Sequence, residues 1–275
     1  MRIVDDLVGF INSRRAFVGA FDGRRVGPTV HANVEVDLAA ALAFRKRFNQ
    51  KNPDARCTLN DMIVKAAGNA LVNHRLYTCT YNGRYTLYPA EAIDIRFPVD
   101  LGFLLGWGMV RNVERKTLRQ VALESEASKQ RAQRETPVRM ARFDRVLKRH
   151  PALGTVLDLA VEGFQLLNRL LPPLERAWRA NQRKRRGSFL ITNVGPAGIT
   201  RMEGPIVHPD ILHLMIAASR QVPVLCDGKV EVRTRMPLIA KFDHRITDVG
   251  GAARFLLEVK ANLEDPEHRL GPYDA

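Results

Sequence analysis

Cysteine is scarce in this chain: three residues in 275, Cys57, Cys79 and Cys226, stand far apart with no CxxC pair. That excludes a disulfide framework and a thiolate zinc site, and it fits a reducing compartment. Also missing are GxxxxGK[ST], a GxGxxG opening a helix, GxSxG and HExxH, so P-loop, dinucleotide, serine-hydrolase and zinc-protease chemistries have no foothold. His208 and His213 lie five apart on a loop-to-strand segment without clustered carboxylates or thiols, and no metal is expected. The opening "MRIVDDLVGF" has acidic residues where a signal peptide carries positive charge, and no long apolar run succeeds it. A cytoplasmic location is expected, either free or peripheral to the inner face of the membrane.

Positive charge, by contrast, is abundant and localised. Lys and Arg number 43 against 29 Asp and Glu, a formal net of +14. Fifteen basic and five acidic residues lie between Lys129 and Arg186, so +10 sits in that segment. Such a patch attracts nucleic acid, anionic lipid or a polyanionic ligand, and charge alone does not choose. With 45% hydrophobic residues the chain can bury a proper core and fold as one large domain.

Periodicity gives alternating element types. "TVHANVEVD", 29 to 37, puts Val30, Ala32, Val34 and Val36 on one face, a half-buried strand, and Asp37 suits the N-cap of the next helix. A helix is expected over 59 to 74 with Asn60 as cap, strands at 93 to 99 and 102 to 110, and a long polar helix opened by a Thr117–Gln120 capping box. Strand-like runs come at 187 to 195 and 211 to 219, then a hairpin turning at Asp227 and Gly228, and "PLIAKF". The last helix, about 249 to 263, buries Ala252, Phe255, Leu256, Val259 and Leu263. Tyr77, Tyr81, Tyr85 and Tyr88 cluster around a hairpin expected at Asn82 and Gly83. The fold class is α/β, a two-layer sandwich: a mixed β-sheet with helices packed on one face, plus a helical insertion.

Four collinear stretches carry a resemblance. "FDHRITDVGGAARFLLEVKANLEDPEHRL", "GSFLITNVGPAGI", "LNDMIVKAAGNAL" and "MVRNVERKTLRQV" resemble the catalytic domain of the acyltransferase (dihydrolipoamide acyltransferase) component of 2-oxo acid dehydrogenase complexes. That family shares its fold with chloramphenicol acetyltransferase. The resemblance implies a single catalytic domain over 1 to 275 and a CoA-dependent acyltransferase, with coenzyme A entering as acyl-CoA and an unidentified acceptor receiving the acyl group. It implies direct transfer between thiols, with His244 as general base, Thr192 as oxyanion donor and Asp248 as structural support, and a site between subunits of a homotrimer.

Each residue has a plainer reading. His244 could be a core histidine at a strand end, Asp248 a helix cap, and Thr192 an ordinary β-branched strand residue. The family's HxxxDG reads here His244 to Val249, with Gly250 displaced by one; if position 249 needs φ > 0, Val249 is strained and the corner must be rebuilt. A catalytically silent member acting as trimeric scaffold or membrane-surface adaptor is the alternative. The chain shows no lipoyl or subunit-binding domain and no covalently attached lipoyl group is expected, so a separate lipoyl carrier protein would be needed; the polar tail "RLGPYDA" suggests a free trimer.

The largest departure is an insert at about 136 to 186. "ALGTVLDLAVEGFQLLNRLL" is apolar around most of its circumference, and "LERAWRANQRKRR" comes directly after it. Three readings compete: a helix lying on an anionic membrane, a lid over an acyl chain, or a hairpin packed on its own domain with its charges solvated. Nucleic acid ranks last, since Trp178 alone could stack.

Overall fold

A computed structural model describes residues 26–81, 86–102, 104–170 and 172–271. The expectations for the N-terminal segment, the Asn82–Gly83 turn and the last four residues of the tail lie outside them.

Eleven strands and seven α-helices succeed one another among these residues. The short β1 (Val26–Gly27) leads into β2 (Thr29–Asp37), α1 (Ala39–Lys51) and α2 (Leu59–Asn73). The short strands β3 (Thr80–Tyr81) and β4 (Leu87–Tyr88) precede the hairpin β5 (Ile95–Leu101) and β6 (Leu104–Val110). Three helices come next: α3 (Leu118–Arg149), α4 (Pro151–Leu170) and α5 (Pro172–Arg186). The chain returns to the sheet through β7 (Phe189–Asn193), β8 (Ile206–Val207), β9 (Leu212–Ile216), β10 (Arg220–Cys226) and β11 (Lys229–Asp243), and ends in α6 (Val249–Glu264) and α7 (Pro266–Arg269).

The main sheet runs β10-β11-β9-β7-β5-β6, with β2 also pairing β11. It is mixed: β7 is parallel to β5 and β9, while β11 is antiparallel to β2, β9 and β10. Inward residues of the strands, among them Ile191, Leu214, Leu238 and Phe242, meet Phe255, Leu256 and Val259 of α6 in one core. The expected architecture, a mixed sheet with helices on one face, is therefore present. Val36 is fully buried and Val30, Ala32 and Val34 pack against the same core, as their alternation requires.

Local signals hold to differing degrees. Thr117 and Gln120 form the capping box, with Gln120 N–H donating to Thr117 Oγ1 at 3.3 Å and Thr117 N–H to Gln120 Oε1 at 3.0 Å. The cap of α2 is Thr58, not Asn60: Asp61 answers it three residues on, and Asn60 falls inside the first turn. Asp37 serves α1 from one residue earlier than the N-cap position, its Oδ1 accepting from Ala39 N–H at 3.0 Å. Asp227 and Gly228 both take positive φ, 48° and 78°, the requirement of a tight two-residue hairpin. Helix α3 runs unbroken from Leu118 through Pro137 to Arg149, across the position where the insert is expected to begin.

Candidate functional site

His244 comes directly after the last residue of β11 and begins the corner that leads into α6. The corner is held from inside by Asp243, which is fully buried. Ile246 N–H donates to the Asp243 carbonyl at 3.0 Å, and the Asp243 carboxylate takes Arg245 at three points: the backbone N–H and Nε on Oδ1, both at 3.0 Å, and Nη2 on Oδ2 at 2.7 Å. Burial pushes the Asp243 carboxyl up, but the Arg245 hydrogen bonds and charge outweigh it and hold the group below its ordinary value. A strand end with an ionised, fully satisfied carboxylate beneath it is a rigid mount. Arg245 extends the mount outward, with Nη2 2.6 Å from His208 Nε2 and its guanidinium over the Tyr81 ring.

On this mount the His244 backbone N–H donates to Pro28 O at 3.0 Å, and the ring stands edge-on to Phe242. Its Nδ1 lies 3.2 Å from Thr247 O. A carbonyl only accepts, so Nδ1 is the donor and carries a proton. The histidine side chain is 46% exposed, so the ring stands at the surface rather than in the core. Thr247 is fixed in turn: its Oγ1 bonds the buried Tyr77 hydroxyl at 3.1 Å, and Tyr77 packs against Phe255. Gly251 is where the helix closes on this pair. A Cβ there would sit 2.8 Å from Thr247 Oγ1 and 2.9 Å from Tyr77 Oη.

Asp248 occupies the N-cap position of α6 but makes no side-chain capping bond. Its carboxylate is 91% exposed and lies 3.8 Å from His244 Nδ1; no arginine pairs with it among the described residues. Val249 opens α6 with helical backbone, and among the described residues the non-glycine residues with positive φ are Asn112 and Asp227. The strain anticipated at Val249 is therefore absent, because the turn is made before it by residues 244 to 248.

Thr192 is half-buried on β7, on the face turned away from the helices. It pairs in register with Met215 of β9, which pairs with Ile239 of β11. Ile239 lies five residues before His244, about 16 Å along the strand, and two strand spacings add roughly 10 Å across. Within one chain the sheet holds Thr192 and His244 apart.

A second buried polar group was not legible in the sequence. Asp210 accepts from His213 Nε2 at 2.8 Å and pairs with Arg96. Burial drives the His213 ring down to about 4 against the pull of Asp210, so it is neutral in the fold. Burial alone would raise the Asp210 carboxyl, but Arg96 and then His213 keep it well below the carboxylate range. Arg96, Leu190, His213 and Lys241 share one cross-strand row, which no single-segment motif reveals. Asp243 and Arg245 carried a signal that could have found them: charges flanking His244 at the end of an apolar strand have to be paired.

The family model for 2-oxoacid dehydrogenases acyltransferase (catalytic domain) matches residues 14–140 and 175–270. The dihydrolipoyllysine-residue succinyltransferase component of the 2-oxoglutarate dehydrogenase complex of Bartonella vinsonii subsp. berkhoffii is 40% identical over 82 residues, 30% of this chain and 20% of that protein. The dihydrolipoyllysine-residue acetyltransferase component of the pyruvate dehydrogenase complex of Zymomonas mobilis is 23% identical over 241 residues, 87% of this chain and 45% of that protein, so even this longer match spans less than half of the relative. Among solved structures, Azotobacter vinelandii dihydrolipoamide acetyltransferase superposes with a TM-score of 0.65 at 21% identity, covering 96% of this chain and 90% of that one. In that enzyme the role in the catalytic mechanism of a serine, a histidine 52 residues later and an asparagine four residues after that has been investigated. With the family model covering most of its length, this chain belongs to the 2-oxoacid dehydrogenase acyltransferase catalytic-domain family.

Proposed function

We propose that the protein is a CoA-dependent acyltransferase that moves an acyl group directly between CoA and a thiol acceptor, His244 acting as general base. The observation that carries this is the pinned, exposed imidazole: Nδ1 is committed to Thr247 O, and Nε2 is left free at the mouth of a rigid corner. The spacing supports it further, since Thr192, His244 and Asp248 are separated by 52 and 4 residues, the separations of the serine, histidine and asparagine named for the Azotobacter vinelandii enzyme.

In the forward step Nε2 removes the proton from the acceptor thiol, and the thiolate attacks the thioester carbonyl of acyl-CoA. The Thr192 hydroxyl donates to the oxyanion that forms. Collapse breaks the bond to the CoA sulfur, and the imidazolium returns its proton to that thiolate. No acyl group rests on the enzyme. Because the base and the donor lie far apart in one chain, both can serve one carbonyl only when the donor comes from a second copy, and a trimer is the assembly we infer. Asp248, 3.8 Å from Nδ1, adds negative charge beside the ring on the side away from Nε2, which favours the imidazolium formed when Nε2 takes the proton. A dihydrolipoyl group on a separate carrier protein is the acceptor proposed.

The test is thiol release from short- and long-chain acyl-CoA in the presence of dihydrolipoamide. His244→Ala should lower the rate by about 10²–10⁴-fold, the usual contribution of a positioned base. Turnover unchanged by that substitution would contradict the assignment.

A further inference from the structure

The pair α4 and α5 stands outside the main core, and α4 turns an apolar surface outward. Val156, Leu159 and Leu167 share one side of the helix and are 57%, 63% and 45% exposed, while Leu157 and Val161 are exposed further round it. The family model leaves 141–174 unmatched, so this surface is outside what the family match accounts for. One side of the pair is tied down: Phe164 packs edge-on against Trp178, Arg111 Nη2 donates to Lys184 O at 2.7 Å, and Trp178, Gln182 and Arg186 line a small cavity together with Thr80, Pro209 and Asp210. Among the described residues, nothing covers the outward side of α4.

Charge indicates what covers it. The last turns of α3 expose Arg142, Arg145 and Arg149 at helical spacing, directly before α4 begins. The Phe164–Trp178 contact sets the antiparallel register of α4 and α5, which carries the exposed Lys184 and Arg185 past residues 157 and 158. Cations thus border the apolar surface from both neighbouring helices. Two copies meeting face to face would bring these cations together, an arrangement that like-charge repulsion opposes. An anionic bilayer offers apolar depth and negative charge in one plane. No helix among the described residues is long and apolar enough to cross a membrane, so the contact is in the interface plane.

We propose that the outward face of α4, bordered by the basic ends of α3 and α5, docks the protein on an anionic phospholipid surface. This does not depend on the acyltransferase reading.

The experiment is co-sedimentation of the full chain with vesicles of phosphatidylcholine alone and with about one third phosphatidylglycerol, at low and physiological salt. Val156→Glu/Leu159→Glu and Arg145→Glu/Arg149→Glu are run beside the wild type, with circular dichroism and size-exclusion profiles as folding controls. Binding to the anionic vesicles only is expected, weakened by salt and reduced at least about fivefold in each double variant. Three results overturn the proposal: no binding at low salt, binding that ignores the Val156/Leu159 change and is therefore charge adsorption alone, or a shift in oligomer size of that variant without wild-type vesicle binding, which assigns the face to a second copy.

Discussion

At the scale of single residues, the corner around His244 converts a flexible side chain into a directed one. A histidine with a free ring samples both tautomers, whereas the Thr247 carbonyl fixes one of them. The buried His213 does different work. Its ring is held neutral with a value near 4, while the unfolded chain returns it to about 6.5. Between those values the unfolded state binds a proton that the folded state does not, so stability falls as pH drops from about 6.5 to about 4, by on the order of 3 kcal/mol in all. The depressed Asp210 carboxyl acts in the same direction, but only from about pH 4 downward. Chemical denaturation at stepped pH should show the loss, and His213→Gln should flatten it between 6.5 and 4; an unchanged slope would count against a neutral buried ring.

At the scale of elements, the approach of α6 to the site depends on one missing side chain. Gly251→Ala would press a methyl into Thr247 Oγ1 and Tyr77 Oη, both of which are buried and bonded to each other. The substitution should cost about 1–3 kcal/mol in unfolding experiments and lower turnover, because Thr247 also supplies the carbonyl that holds His244; Gly250→Ala, whose Cβ would meet only Arg254 Nη1 at 3.7 Å, is the matched control with little effect. Equal behaviour of the two variants would remove this account of the corner. The elements were largely legible because each signals locally: α6 buries Ala252, Phe255, Leu256, Val259 and Leu263, all at spacings its sequence displays. The α2 cap was misplaced by two residues because Thr58 and Asn60 are both acceptable caps, and only the Asp61 answer decides between them. The Asp243–Arg245 clamp and the Arg96–Asp210–His213 group escaped the sequence for different reasons. The first hides in a strand end read as apolar, and the second is assembled across strands far apart in the chain.

At the scale of the whole molecule, the sheet that positions Thr192 and His244 also keeps them apart, Thr192 level with Ile239 and His244 beyond the end of β11. In the proposed mechanism a working pair is supplied by two chains, and loss of either residue in one chain can be made good by another. The most direct test is co-assembly of two variants, His244→Ala and Thr192→Val, each expected to be far less active on its own. Random mixing should restore about a quarter of the wild-type sites, because half of the chains still carry each residue. A mixture no more active than its components, although subunits demonstrably exchange, would contradict a site shared between chains.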